Sequence, residues 1–138
     1  MPPIDVVLIH VDDEMVIIHS VYSDPWTWDD FYNAFSREEH ITRTAGGRTI
    51  YRVLDLTQTR FVPSGLFQHF RKMARRLAQA KSPYETTVIV TTNPHVLAVG
   101  TILNRLFPKA ALHIRHAATV PDAYILIQRL SGDSVLWS

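Results

Sequence analysis

The chain has 138 residues, 46% hydrophobic and 20% charged, with a formal net charge of +1 and no cysteine. That length suits one domain around one core, and the balance of apolar and charged residues excludes a disordered or fibrous chain. The absence of cysteine removes disulfides, thiolate metal sites and cysteine nucleophiles, and a nearly neutral chain gives nucleic acid no general electrostatic hold.

Ile4 to Val11 is almost continuously apolar, and a second such run from Met15 to Tyr22 follows the polar Asp12, Asp13 and Glu14. These predict two strands joined by a tight acidic turn. Asp24 is placed as an N-cap with Pro25 at the first helical position, and Trp28, Phe31 or Tyr32, and Phe35 recur at helical spacing up to about His40. Thr42 to Thr49, with Gly46 and Gly47, reads as a loop leading into a third strand over Ile50 to Leu56. After Pro63 and Ser64, the residues Leu66, Phe70, Met73 and Leu77 share one face of a second helix, which runs to about Gln79. Ser82 and Pro83 break the pattern, Thr86 to Thr92 reads as a fourth strand, and Asn93 with Pro94 opens a helix along Val96, Val99, Leu103 and Leu106 that Pro108 stops. A fifth strand is expected over Ala110 to His116. Thr119 and Asp122 then resemble a cap for a helix along Ala123, Leu126, Ile127 and Leu130, followed by an irregular tail from Ser131 to Ser138. The predicted fold is a single α/β domain with about five strands, mostly parallel, an antiparallel pair at the start and four helices.

The segment Arg52, Val53, Leu54, Asp55, Leu56, Thr57, Gln58, Thr59, Arg60, Phe61, Val62, Pro63, Ser64, Gly65, Leu66 resembles the central signature of the STAS domain family, which includes the anti-sigma factor antagonists. The order of the remaining elements is similar too. In that family a strand ending in Asp-Leu-Ser is followed by an apolar pair and then Asp-Ser-Ser-Gly-Leu at a helix start, where a kinase phosphorylates the first serine and so breaks partner binding. The resemblance implies a regulatory module, a kinase-like or acidic protein partner, and a switch at Ser64. The loop here is one residue short, and no aspartate precedes the serine in either register. Relatives that keep the fold without the switch, lipid-binding ones included, fit the pattern equally.

Ser64 has a plainer job open to it as an N-cap of the second helix. Pro63 and Gly65 flank it. Arg71, Lys72, Arg75, Arg76 and Lys81 place five cations within eleven residues without an acid between them, which reads as a solvated face or as a docking surface for an acidic or phosphorylated partner. Trp26, Trp28, Phe31, Tyr32 and Phe35 read as the core stripe of the first helix, with enough surplus to close an apolar pocket for a lipid or another small molecule. Trp137 in the tail offers a packing point for a second copy.

Enzyme chemistry finds less support. Asp12, Asp13, Asp55, Thr91 and Lys109 mimic the acids, hydroxyl and lysine of a receiver domain, which would make Asp55 a magnesium-dependent phosphoacceptor. However, a strand follows the acids where a receiver needs a helix, and Lys109 precedes its strand. None of the seven histidines forms a helical metal pair, although His10 and His19 could meet on one face of the strand pair. Ser64, His69 and Asp55 could be drawn as a triad, but no nucleophile elbow surrounds the serine. No catalytic residue, metal or cofactor is expected. Membrane residence is not expected either, since no apolar run approaches the roughly 20 residues of a spanning helix. The opening Met1-Pro2-Pro3-Ile4-Asp5 lacks the parts of a signal peptide, so the expected location is the cytoplasm.

Overall fold

A computed structural model describes residues 3–78, 85–111 and 113–132. The expected helix end near Gln79, Lys81, the Ser82–Pro83 break, Trp137 and all but the first two residues of the expected tail lie outside them. Five strands form one sheet in the order β1 (Ile4–Val11), β2 (Met15–Tyr22), β3 (Thr49–Asp55), β4 (Glu85–Val90) and β5 (Ile114–Ala117). β1 and β2 are antiparallel and every later pairing is parallel, as the sequence predicts.

Helices α1 (Trp28–Arg43), α2 (Leu66–Ala78) and α3 (Pro94–Leu106) are the crossovers, and α5 (Val120–Ser131) follows β5. Sequential strand order with crossovers of one hand stacks the first three helices on the same side of the sheet. Phe31, Ala34, Phe70, Met73, Val96, Val99 and Leu103 accordingly bury against Ile4, Tyr22, Leu54, Ile89 and Ile114. Ala123 and Ile127 of α5 cover the other side, over Met15, Ile17, Tyr51, Val53, Val88 and Val90. Strands covered on both sides have no solvent face, which is why β2 and β3 read as nearly unbroken apolar runs rather than as alternating ones. β1 stands at the open edge with Val7, Leu8, Ile9 and Val11 partly exposed, and its pairing slips at a bulge between Leu8 and His10. The Ile4 carbonyl on this strand accepts from Arg37 Nη2 at 3.1 Å.

Some boundaries differ from expectation for local reasons. Thr27, not Asp24, caps α1. Its side chain accepts from Asp30 N at 3.2 Å while the Asp30 carboxylate accepts from Thr27 N at 2.8 Å, so two otherwise free N–H groups are satisfied at once. α1 also runs past His40 to Arg43, which shortens the loop before β3. Pro108 ends α3 but opens a further turn, α4 (Pro108–Ala111), because a first-turn proline is already set to helical φ and alanine favours helix. β5 is therefore short and starts at Ile114 rather than Ala110. α5 keeps the predicted Thr119 cap and runs through Ser131 to Gly132, whose φ of 67° stops it.

Candidate functional site

The loop between β3 and α2 is held from several sides. The Asp24 carboxylate accepts from Arg60 N at 2.6 Å, Thr59 Oγ1 donates to the Tyr22 carbonyl at 2.7 Å, and Trp26 Nε1 donates to Thr59 Oγ1 at 3.0 Å. Further along, Trp28 Nε1 donates to the Ser64 carbonyl at 2.6 Å. The Gly65 carbonyl accepts from His69 N at 3.1 Å, which makes Gly65 the capping residue, and its φ of 93° belongs to the region that favours glycine. Ser64 thus lies one residue outside the helix, contrary to the N-cap expectation. It is exposed, and among the described residues its hydroxyl makes no hydrogen bond.

Arg71, Lys72, Arg75 and Arg76 are all exposed on α2, but they differ. Arg76 Nη2 pairs with Glu39 at 2.7 Å and its guanidinium lies 4.4 Å from the centre of the Phe35 ring. Among the described residues the other three form no ion pair.

Sequence reasoning missed the hub to which Arg76 connects. Arg52 is 2% exposed, its Nη2 lies 2.8 Å from Glu39 and 2.7 Å from Glu85, and its guanidinium also faces Phe35. Nearby Glu38 is 5% exposed, and burial pushes its carboxyl up to about 7 although the Arg52 charge pulls it down. The available signal was an arginine in the middle of a strand whose neighbours are apolar on both sides, since such a charge must find carboxylates inside.

The aromatic residues of the first helix region lock together. Trp26 and Phe31 are buried, and Trp26 meets Tyr22 and Trp28 edge-on at 5.1 and 5.2 Å. Trp28 stacks on His69 at 4.3 Å, and the Tyr32 hydroxyl lies 2.6 Å from His69 Nδ1. Partial burial and Lys72 hold the His69 imidazole below its ordinary pKa. These rings fasten α1 to α2. A cleft of about 100 Å³ beside Phe31 and Phe35 lies between the two helices. A broader, open groove runs between α1 and β1 along Val6, Ser36, Arg37, His40 and Ile41.

On the opposite side of the sheet a polar chain ties α5 down. His19 Nε2 lies 2.9 Å from Asp55 Oδ2, His19 Nδ1 lies 2.9 Å from the Tyr124 hydroxyl, and Asp55 Oδ1 accepts from Thr57 N and Thr57 Oγ1. Burial raises the Asp55 carboxyl, but the hydrogen bonds from His19 and Thr57 outweigh it and leave the pKa below its ordinary value. Both oxygens are occupied, as a structural anchor requires.

The residues of the receiver comparison are not brought together. Asp12 caps the β1–β2 turn and pairs with His10, whose hydrogen bond is the main cause holding its carboxyl down at about 2. Along the β2–β3 register that turn lies beyond Met15 and Thr49, whereas Asp55 pairs with Val21, roughly 20 Å along the strand. Thr91 Oγ1 accepts from Asn93 N, and Lys109 sits on α4. His10 and His19 each have a carboxylate partner of their own, and His69 and Asp55 are engaged separately, while the Ser64 hydroxyl has no side-chain partner among the described residues. Among the described residues no three His, Cys, Asp or Glu converge as a metal site, and no helix is long and apolar enough to cross a membrane. Comparison with known proteins returns no matching family model, no matching curated protein and no matching solved structure.

Proposed function

We propose that this chain is a non-enzymatic, STAS-like regulatory module of the cytoplasm that binds a protein partner through the loop ending at Pro63, Ser64 and Gly65 and the exposed side of α2. One observation carries the reading: among the described residues the exposed Ser64 hydroxyl makes no hydrogen bond and Arg71, Lys72 and Arg75 on the adjoining helix form no ion pair, while Trp28 holds the Ser64 backbone in place. A fixed backbone presents a side chain at low ordering cost. Cations without internal carboxylates suit an acidic partner. A phosphate on Ser64 would be tolerated beside the positive end of α2 and would also weaken the cationic field that attracts such a partner, which gives modification a direct route to regulation. The alternative role as a carrier of apolar ligands asks for an enclosing site of roughly 300–1,000 Å³; the cleft beside Phe31 and Phe35 is about 100 Å³, and the groove along Val6, Ser36 and Ile41, at about 430 Å³, is large enough but lies open to solvent.

The test is affinity capture from the native host with the parent chain, Ser64→Asp and the combined Arg71→Glu, Arg75→Glu variant, each checked for fold by circular dichroism. Native mass spectrometry of the host-purified protein accompanies it. Capture that both variants lose, with a phosphorylated species mapping to Ser64, is the expected result. Capture unchanged in Ser64→Asp removes the switch, and capture unchanged in the charge reversal moves the interface elsewhere.

A further inference from the structure

The cleft between α1 and α2 has walls of Phe31, Tyr32, Phe35 and Met73 and a rim of Lys72 and Arg76. Phe31 and Met73 are buried, so its floor is closed by the core. Its volume of about 100 Å³ is room for one apolar side chain. The two rim cations are four residues apart on α2 and therefore neighbours on its surface, roughly 6 Å apart at Cβ. Arg76 is already fixed by Glu39 and the Phe35 ring, so a ligand does not have to order it. Lys72, Arg71 and Arg75 form no ion pair among the described residues, which leaves positive charge on the rim and beyond it.

In protein interfaces a few anchors seated in well-packed, desolvated pockets carry most of the binding energy, ringed by contacts that exclude water, and this apolar pit has the shape to take one of them. We infer that this cleft seats a single bulky apolar side chain, such as Leu or Met, from an acidic helical segment of a partner protein. Carboxylates one turn either side of that anchor face Lys72 and the Arg71–Arg75 row. The inference rests on the binding-module proposal and adds to it the anchor and the chemistry of the segment. Carboxylates repeated at helical spacing match cations repeated at helical spacing on α2, whereas a lipid presents one head group and a tail longer than the cleft accepts.

The experiment is a titration of the full chain, carrying labelled methionine methyls and backbone amides, followed by nuclear magnetic resonance. The probes are a synthetic helix-forming Glu/Ala peptide with one central Leu, the same peptide with Ser for Leu, the same peptide with Lys for Glu, and sodium decanoate. The expected result is that the Leu peptide shifts the Met73 methyl and the Tyr32 and Phe35 amides. The Ser peptide should bind about tenfold more weakly and the Lys peptide not at all. Lys72→Glu should weaken the Leu peptide severalfold while leaving the spectrum's fold signature unchanged. Equal binding of the Leu and Ser peptides, with shifts confined to Arg71 and Arg75, overturns the anchor yet leaves the binding-module proposal standing. Decanoate moving Met73 where the peptides do not replaces the protein segment with a lipid. Self-association that protects Met73 in sedimentation and dilution experiments replaces it with a second copy. Silence at Met73 with every probe also overturns the inference, while failure of the broader proposal is read separately from capture by Ser64→Asp.

Discussion

Replacing Glu38 by Gln should change how the stability of the protein depends on pH. The Glu38 carboxyl is buried under α1, and its value of about 7 compares with an ordinary 4.5. Between those two values the native chain keeps a proton that the unfolded chain has released, so stability falls as pH rises through this window. The gap is about 2.5 pH units, and at about 1.4 kcal/mol per unit the loss amounts to about 3–4 kcal/mol by pH 8. Glutamine keeps the shape and a polar head without a titrating proton. Arg37, Arg52, Glu39, Glu85 and Tyr22 surround the site in both proteins, so the difference between the two profiles isolates Glu38. Urea unfolding followed by tryptophan fluorescence at about pH 5, 6, 7 and 8 provides the comparison. Glu38→Gln should gain on the parent progressively across that range, and a difference that stays flat would refute the buried-proton argument.

Two further changes probe other parts of the fold. Asp55→Asn should cost about 1–3 kcal/mol at neutral pH, because the half-buried His19 loses the charged partner it is hydrogen-bonded to. The depressed Asp55 value contributes stability above the unfolded value of 3.8 that is lost as pH falls through the lower native value, so the variant should lack that part of the parent's acid unfolding, and matching acid limbs in urea titrations would contradict the assignment. Gly100→Ala would put a Cβ 2.7 Å from the His116 ring, and overpacking at this α3–β5 contact should cost about 1–3 kcal/mol. Adding His116→Ala should recover part of that loss, and a thermal midpoint unmoved by Gly100→Ala would show that the ring yields freely.

The sheet and its helices were legible because each depends on a local pattern: unbroken apolar runs for the doubly covered β2 and β3, and the Thr119 and Asn93 caps for α5 and α3. Where two local signals competed, reading along the chain chose wrongly. Asp24–Pro25 and the Thr27–Asp30 pair both look like helix starts, and only the second satisfies two backbone donors together. Ala110 and Ala111 likewise took the helical option that Pro108 opened. The loop and the basic helix could be placed from sequence, but not the partners that distinguish their residues. Arg76 and Arg71 look equivalent in a string of letters, and only folding brings Glu39 and Phe35 to one of them. The His19–Asp55–Tyr124 chain joins residues 36 and 105 positions apart, beyond the reach of any periodicity or spacing rule.

The open edge at β1 also bears on how this protein behaves at high concentration. An uncovered strand is a template on which another chain can lay itself down, and partly exposed Val7, Leu8, Ile9 and Val11 would make such growth adhesive. Arg37 occupies the Ile4 carbonyl at one end of that template, and the bulge between Leu8 and His10 throws the ladder out of step at the other. What remains between them is the short stretch from Val6 to Leu8, which gives an incoming strand too few backbone bonds to offset the entropy of holding it straight. The first helix thus does a second job for the sheet: through one arginine it occupies a backbone acceptor that an added strand would need.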